Sequence, residues 1–96
     1  MEIKFSNISN RLGTRVIAQD VRHTVEKAFE ENQRVVFNLE NVQSMSHSFA
    51  DECFAKLLLT WELDEIKKKS TFINVTSDVK SIIKFVINEQ LSSTIS

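Results

Sequence analysis

Proline is absent from this chain, glycine occurs once at Gly13, cysteine once at Cys53, and tyrosine not at all. Each shortage closes a route. A single glycine cannot build the Gly-rich loop that cradles a phosphate or a dinucleotide, so motif-based nucleotide binding is excluded. A single cysteine forms no internal disulfide, and with His23, His47 and scattered carboxylates it gives no recognised metal-ligand spacing. No apolar run reaches the roughly 18 residues of a spanning helix. No charged start followed by an apolar stretch marks a secretory signal. The expectation is a soluble, cytoplasmic chain with no metal and no cofactor.

What is present describes one small domain. The 96 residues are 42% hydrophobic and 26% charged, with a net charge of -1. That balance supplies no basic field of the kind nucleic acid or an anionic membrane surface attracts, so neither is an expected partner. With no linker composition, low-complexity block or internal repeat, residues 1–96 read as a single domain. Its small polar end, residues 92–96, is expected to fray.

The periodicity alternates between strand and helix. "EIKF" alternates polar and apolar like a half-buried edge strand. Ile17, Ala18, Val21, Val25, Ala28 and Phe29 recur at three- and four-residue intervals, predicting a helix from about Thr14 to Glu31 with His23 on its polar side. "RVVFNL" is apolar on both faces, as a central strand is. Phe49, Ala50, Cys53, Phe54, Leu57, Leu58 and Trp61 predict a second helix, which makes Cys53 an inert core thiol. "TFINVT" is a third strand. Ser77 then caps a final helix with Val79, Ile82, Ile83 and Val86 inside. The pattern is α/β: a βαβαβα domain with a mostly parallel three- to four-stranded sheet and helices packed on it. So small a set of helices leaves one sheet face partly bare, to be helped by a short extra strand in "SNISNRL" or by a partner.

Between the second strand and the second helix lies "SMSHS", with Ser44, Ser46, His47 and Ser48 crowded together. Ser, His and the nearby Asp51 are the residue types of an acyl-transfer triad, but neighbours in sequence seldom align as nucleophile, base and orienter, so a triad is not expected. Ser48 reads as the helix N-cap, with Asp51 at the third helical position. Glu52 and Lys56 are spaced for an i,i+4 pair on the exposed side. Capping alone does not account for so many hydroxyl and imidazole groups. A helix start also favours an added phosphate, so the cap is a candidate switch, with Ser48 and Ser46 as acceptors.

"VVFNLENVQSMSHSFADECFAKLL" resembles the strand, loop and helix of the STAS superfamily, the anti-sigma-factor antagonist fold. "SFADECFAKL" with "TFINVTSDVKSIIKFVI" is similar to a family of small bacterial STAS-like domains that share a Ser-Phe-Ala-Asp-Glu helix start. Asn38, Leu39 and Glu40 match the strand end, and Met45 matches the methionine before the switch segment. The match then breaks. Where antagonists carry Asp-Ser-Ser, this chain has Ser46, His47 and Ser48, so His47 stands at the phosphorylated serine, and Phe49 replaces the following glycine.

The resemblance implies a non-enzymatic protein-interaction module in bacterial regulation or signalling. Its implied partner is a GHKL-type ATPase or kinase, or an anti-sigma factor, docked on Ser46, His47, Ser48, Asp51, Glu52 and Lys56, with Arg11 or Arg15 nearby. Phe85 and Trp61 are candidates for a second contact patch, with a wider core as the alternative. Two other classes stay open: a small-ligand sensor with a pocket between the cluster loop and the first helix, and an enzyme or phosphocarrier using His47.

Overall fold

The computed structural model describes residues 1–8, 11–12 and 14–95. Strands β1 (Glu2–Lys4), β3 (Val35–Asn38) and β5 (Ser70–Ile73) form a three-stranded parallel sheet in the order β1-β3-β5. The apolar run is therefore the central strand and "EIK" an edge, as their patterns predict. The intervening helices are α1 (Arg15–Glu30), α2 (His47–Cys53), α3 (Leu63–Lys69) and α4 (Ser77–Ile95). The domain is mixed α/β. An extra strand does form in the first loop: β2 (Arg11–Leu12) pairs in parallel with β4 (Ser44–Met45), apart from the main sheet.

Register divides the sheet into two unlike faces. Ile3, Phe37 and Phe72 lie side by side, and the Phe37 ring sits 4.9 Å from Phe72 and 5.2 Å, edge on, from Phe54. Buried residues of α1, α2 and α4 join that face in one core. The opposite face carries Glu2, Val36 and Thr71 in one row and Lys4, Asn38 and Ile73 in the next, and most of it is open. Asn38 is buried there by polar partners: its side-chain amide donates to Glu2 at 2.9 Å, and its oxygen accepts from Asn74 and from the Glu40 N–H, both at 3.0 Å.

Asparagine does the left-handed work that glycine does elsewhere. Asn32, Asn41 and Asn74 have φ of 59°, 66° and 57°, a region that Asn enters more easily than other non-glycine residues. Asn32 ends α1 in a Schellman motif, its N–H donating to the Phe29 carbonyl at 3.0 Å and that of Gln33 to Ala28 at 2.9 Å.

Three expectations are corrected. The second helix does not run to Trp61: α2 ends at Cys53 and the chain tightens into a 3-10 helix over Ala55–Leu59. The reason is that Phe54–Leu59 is apolar nearly all round, so packing against α4 and not helical period decides its winding. The unassigned stretch after Trp61 holds α3, which has no fully buried residue, only Ile66 half-buried against the core, and starts with the Glu62 N–H donating to the Glu65 carboxylate at 3.3 Å. Ile17 is exposed, not core. One smaller shift accompanies these. Thr76, not Ser77, caps α4, its hydroxyl accepting from the Val79 N–H at 3.3 Å. The described backbone of α4 runs to Ile95, within the tail expected to fray, and Ser96 lies outside the described residues.

Candidate functional site

The polar cluster begins where β4 ends. Met45 is buried and its strand pairs with β2, which holds the chain extended through Ser46 at φ -73° and ψ 155°. Helix α2 therefore starts at His47, and Ser46 takes the N-cap position expected of Ser48. Its hydroxyl accepts the Phe49 N–H at 3.0 Å. Ser48 sits at the second helical position, half-buried, and Asp51 falls two residues too late for a capping box.

The six expected contact residues separate into two groups. Glu52, predicted to be exposed, is buried. Its carboxylate accepts from Arg22 at 2.6 Å and from Lys56 at 2.9 Å, and Arg15 lies 3.6 Å away. The same Arg22 nitrogen donates to the Glu52 carbonyl at 2.9 Å, and its Nε lies 3.6 Å from Glu26. Asp51 pairs with Arg15 at 3.6 Å. This network ties α2 to α1. The Lys56 hydrogen bond, seconded by Arg22, holds the Glu52 carboxyl below the usual carboxylate range against the opposing effect of burial. The expected Glu52–Lys56 pair is present, but as part of a buried clamp.

Arg22 falls off the apolar stripe of α1. Its one sequence signal is the i,i+4 spacing to Glu26. The long-range partner, 30 residues away, leaves no local trace.

His47 turns the other way. It is exposed, and its ring meets Phe85 of α4 edge on, with centroids 5.3 Å apart. Phe85 is itself 49% exposed. Of the two aromatic residues offered as a second patch, Phe85 thus joins the cluster's surface. Trp61 belongs to packing: it stands edge on to Phe29 at 5.6 Å, with the Lys69 ammonium 5.3 Å from its ring. Arg15 does lie beside the cluster helix. Arg11 pairs with Ser44 through β2, and its side chain lies outside the described residues.

Two chemical readings meet geometry here. Cys53 is fully buried, and burial pushes its thiol far above the ordinary range, as an inert core thiol requires. The cavity beside α1, about 340 Å³, is lined by Ile3, Ile8, Ile17 and Val21 among others, and takes no lining from the cluster loop. Among the described residues no three His, Cys, Asp or Glu side chains converge on a cation position. Nor is any described helix long and apolar enough to cross a membrane.

The sequence matches the family described as STAS-like domain of unknown function (DUF4325) over residues 18–80, about two thirds of the chain. That span takes in most of α1, the central strand, the cluster, α2, α3, β5 and the start of α4. No curated protein and no solved structure matches the chain. With a parallel sheet, interleaved helices and the family match over residues 18–80, the chain belongs to the STAS-like domain family.

Proposed function

We propose that the chain is a non-enzymatic docking module of bacterial regulation, which contacts a protein partner through the first turn of α2 and the adjoining flank of α4. The observation that carries this reading is the exposed His47–Phe85 pair. A half-exposed phenyl ring costs solvation free energy that a partner's apolar surface would recover, and aromatic rings are frequent anchors of interfaces. His47 supports it with a polar edge on the same patch, and its described ring contact is a phenyl group, which relays no proton. The resemblance to anti-sigma-factor antagonists supports partner recognition at this loop, with a GHKL-type ATPase or kinase as the partner class it implies.

Ser48 is the residue of this patch that would carry a regulatory phosphate, because the Ser46 hydroxyl already caps the helix. A phosphate of about -1.5 to -2 charge beside an apolar contact would oppose docking by desolvation. The test is quantitative affinity capture from the native host with wild type, Phe85→Ala and Ser48→Asp, each checked for unchanged melting. The reading expects a GHKL-type ATPase enriched by wild type and lost from both variants. Equal capture of every protein by wild type and Phe85→Ala would sink it.

A further inference from the structure

The other flank of α4 faces the sheet and forms a second, chemically different surface. Val79, Ile83 and Val86 mark the buried line of this helix. At 3.6 residues per turn, Phe85 falls to one side of that line, and Lys80, Lys84 and Ile87 fall to the other. There they meet Phe72 of β5 and Val75 around a crevice of about 230 Å³. That volume is below the roughly 300–1,000 Å³ of small-molecule sites. It suits one or two side chains.

Beside the crevice runs an open strand edge. β5 pairs with β3 on one side and, among the described residues, with no strand on the other. The Ile73 carbonyl accepts the Leu39 N–H at 3.0 Å, so Ile73 faces inward. Strand alternation then turns the N–H and C=O of Phe72 outward, while its side chain helps to line the crevice. Charge completes the surface. Lys80 and Lys84 are exposed at the crevice mouth, one helical turn apart, and neither has a carboxylate partner among the described residues.

An unpaired edge, an apolar slot beside it and two unneutralised ammonium groups at its rim are complementary to one kind of chain. We propose that this edge binds an extended segment of a partner protein in which apolar side chains adjoin carboxylates. The segment's backbone would pair with β5, an Ile-, Val- or Leu-type side chain would enter the crevice, and Asp or Glu would lie against Lys80 and Lys84. This site lies on the flank of α4 away from His47 and Phe85. It stands or falls separately from the docking patch proposed above.

The test uses the full chain and an array of eight-residue peptides that place two to four Ile, Val or Leu beside two to four Asp or Glu, with Lys-for-acid counterparts. Acidic members should bind and basic ones should not, and affinity should fall as salt rises. The exposed double change Lys80→Glu with Lys84→Glu should weaken binding by about tenfold or more at unchanged melting. Bound peptide should slow hydrogen exchange at the Phe72 amide, while Phe85→Ala leaves the affinity unchanged. The proposal is overturned by failure of every acidic member to bind, by equal binding of acidic and basic members, or by an unprotected Phe72 amide. It is equally overturned if the crevice proves to be covered by a second copy of this chain, seen as a dimer in sedimentation that the double charge reversal dissociates.

Discussion

Ser46, His47 and Ser48 open α2, while Asp51 and Glu52 lie one turn further on and Lys56 follows in the 3-10 helix, and the two groups meet different neighbours. The later turn faces α1, where Arg15 and Arg22 enclose Glu52 in an ionic clamp. The earlier turn faces solvent and one ring of α4. Residues of similar polarity along one short stretch therefore meet different surroundings: the second turn holds two helices together, and the first leaves His47 exposed beside Phe85. Spacing along a helix says which residues share a face, but only the neighbouring elements decide whether that face is closed.

The largest expected effect breaks the closed half of this comparison. Glu52→Ala leaves Arg22 and Lys56 without their shared carboxylate, and breaking a buried ion pair in this way costs about 3 kcal/mol. For a domain of this size that is a fall of roughly 12–24 °C in melting temperature. Asp51→Ala, which removes only the 3.6 Å pair to the exposed Arg15, should cost no more than about 1 kcal/mol. Thermal and urea unfolding of the two variants measures the gap. Equal losses would mean that the clamp does not centre on Glu52.

Acid should undo part of the same clamp. The Glu52 carboxyl sits below its ordinary value of 4.5 in the folded chain, so near and below that pH the unfolded chain binds the proton more readily. The stabilisation is therefore complete above about pH 4.5 and is lost as pH falls through the folded value. Glu52→Gln lacks this proton linkage. The stability gap between wild type and Glu52→Gln should narrow from pH 7 toward pH 3, measured by urea unfolding at each pH.

The contrast between the two turns also marks how far the sequence could be read. Strand and helix alternation, the central strand, the edge strand and the first helix were all legible, because burial writes a period of 2 or 3.6 into the residues themselves. The end of α2 was not, since Phe54, Ala55 and Leu57 through Leu59 carry no contrast between faces. α3 was missed because only Leu63 and Ile66 are apolar and both are merely half-buried, which is too little to mark a stripe. Its signature was electrostatic: acids at Asp64 and Glu65 in the first turn and Lys67 to Lys69 in the last, matching the helix dipole. At the site, the cluster and its helix were legible, and so was the Glu52–Lys56 pair. The partition was not, because Arg22 and Phe85 reach it from elements 30 or more residues away.

The cap separates Ser46 from Ser48 within the open turn. Ser46→Ala removes the acceptor of the Phe49 N–H and should cost about 1 kcal/mol. Ser48→Ala, at a position with no capping role, should cost less than about 0.5 kcal/mol. Urea midpoints at constant slope decide between them, and a larger loss from Ser48→Ala would return the cap to the position that the serine pattern alone suggests.

Phe85→Ala is the sharpest test of the open half. The ring is half-exposed, so truncation gives up the edge contact with His47 and some partial burial, about 0.5–1.5 kcal/mol by the value of such aromatic pairs. The same truncation of buried Phe49 should cost about 3–5 kcal/mol. A double-mutant cycle of His47→Ala and Phe85→Ala, read by urea unfolding, isolates the contact between the two rings. A coupling of about 0.5–1 kcal/mol, the low end of such aromatic pairs, is the expected outcome, since both rings stay largely in water. A coupling of 2 kcal/mol or more would make the pair a structural brace like the Glu52 clamp, and the two turns of α2 would then differ in chemistry but not in purpose.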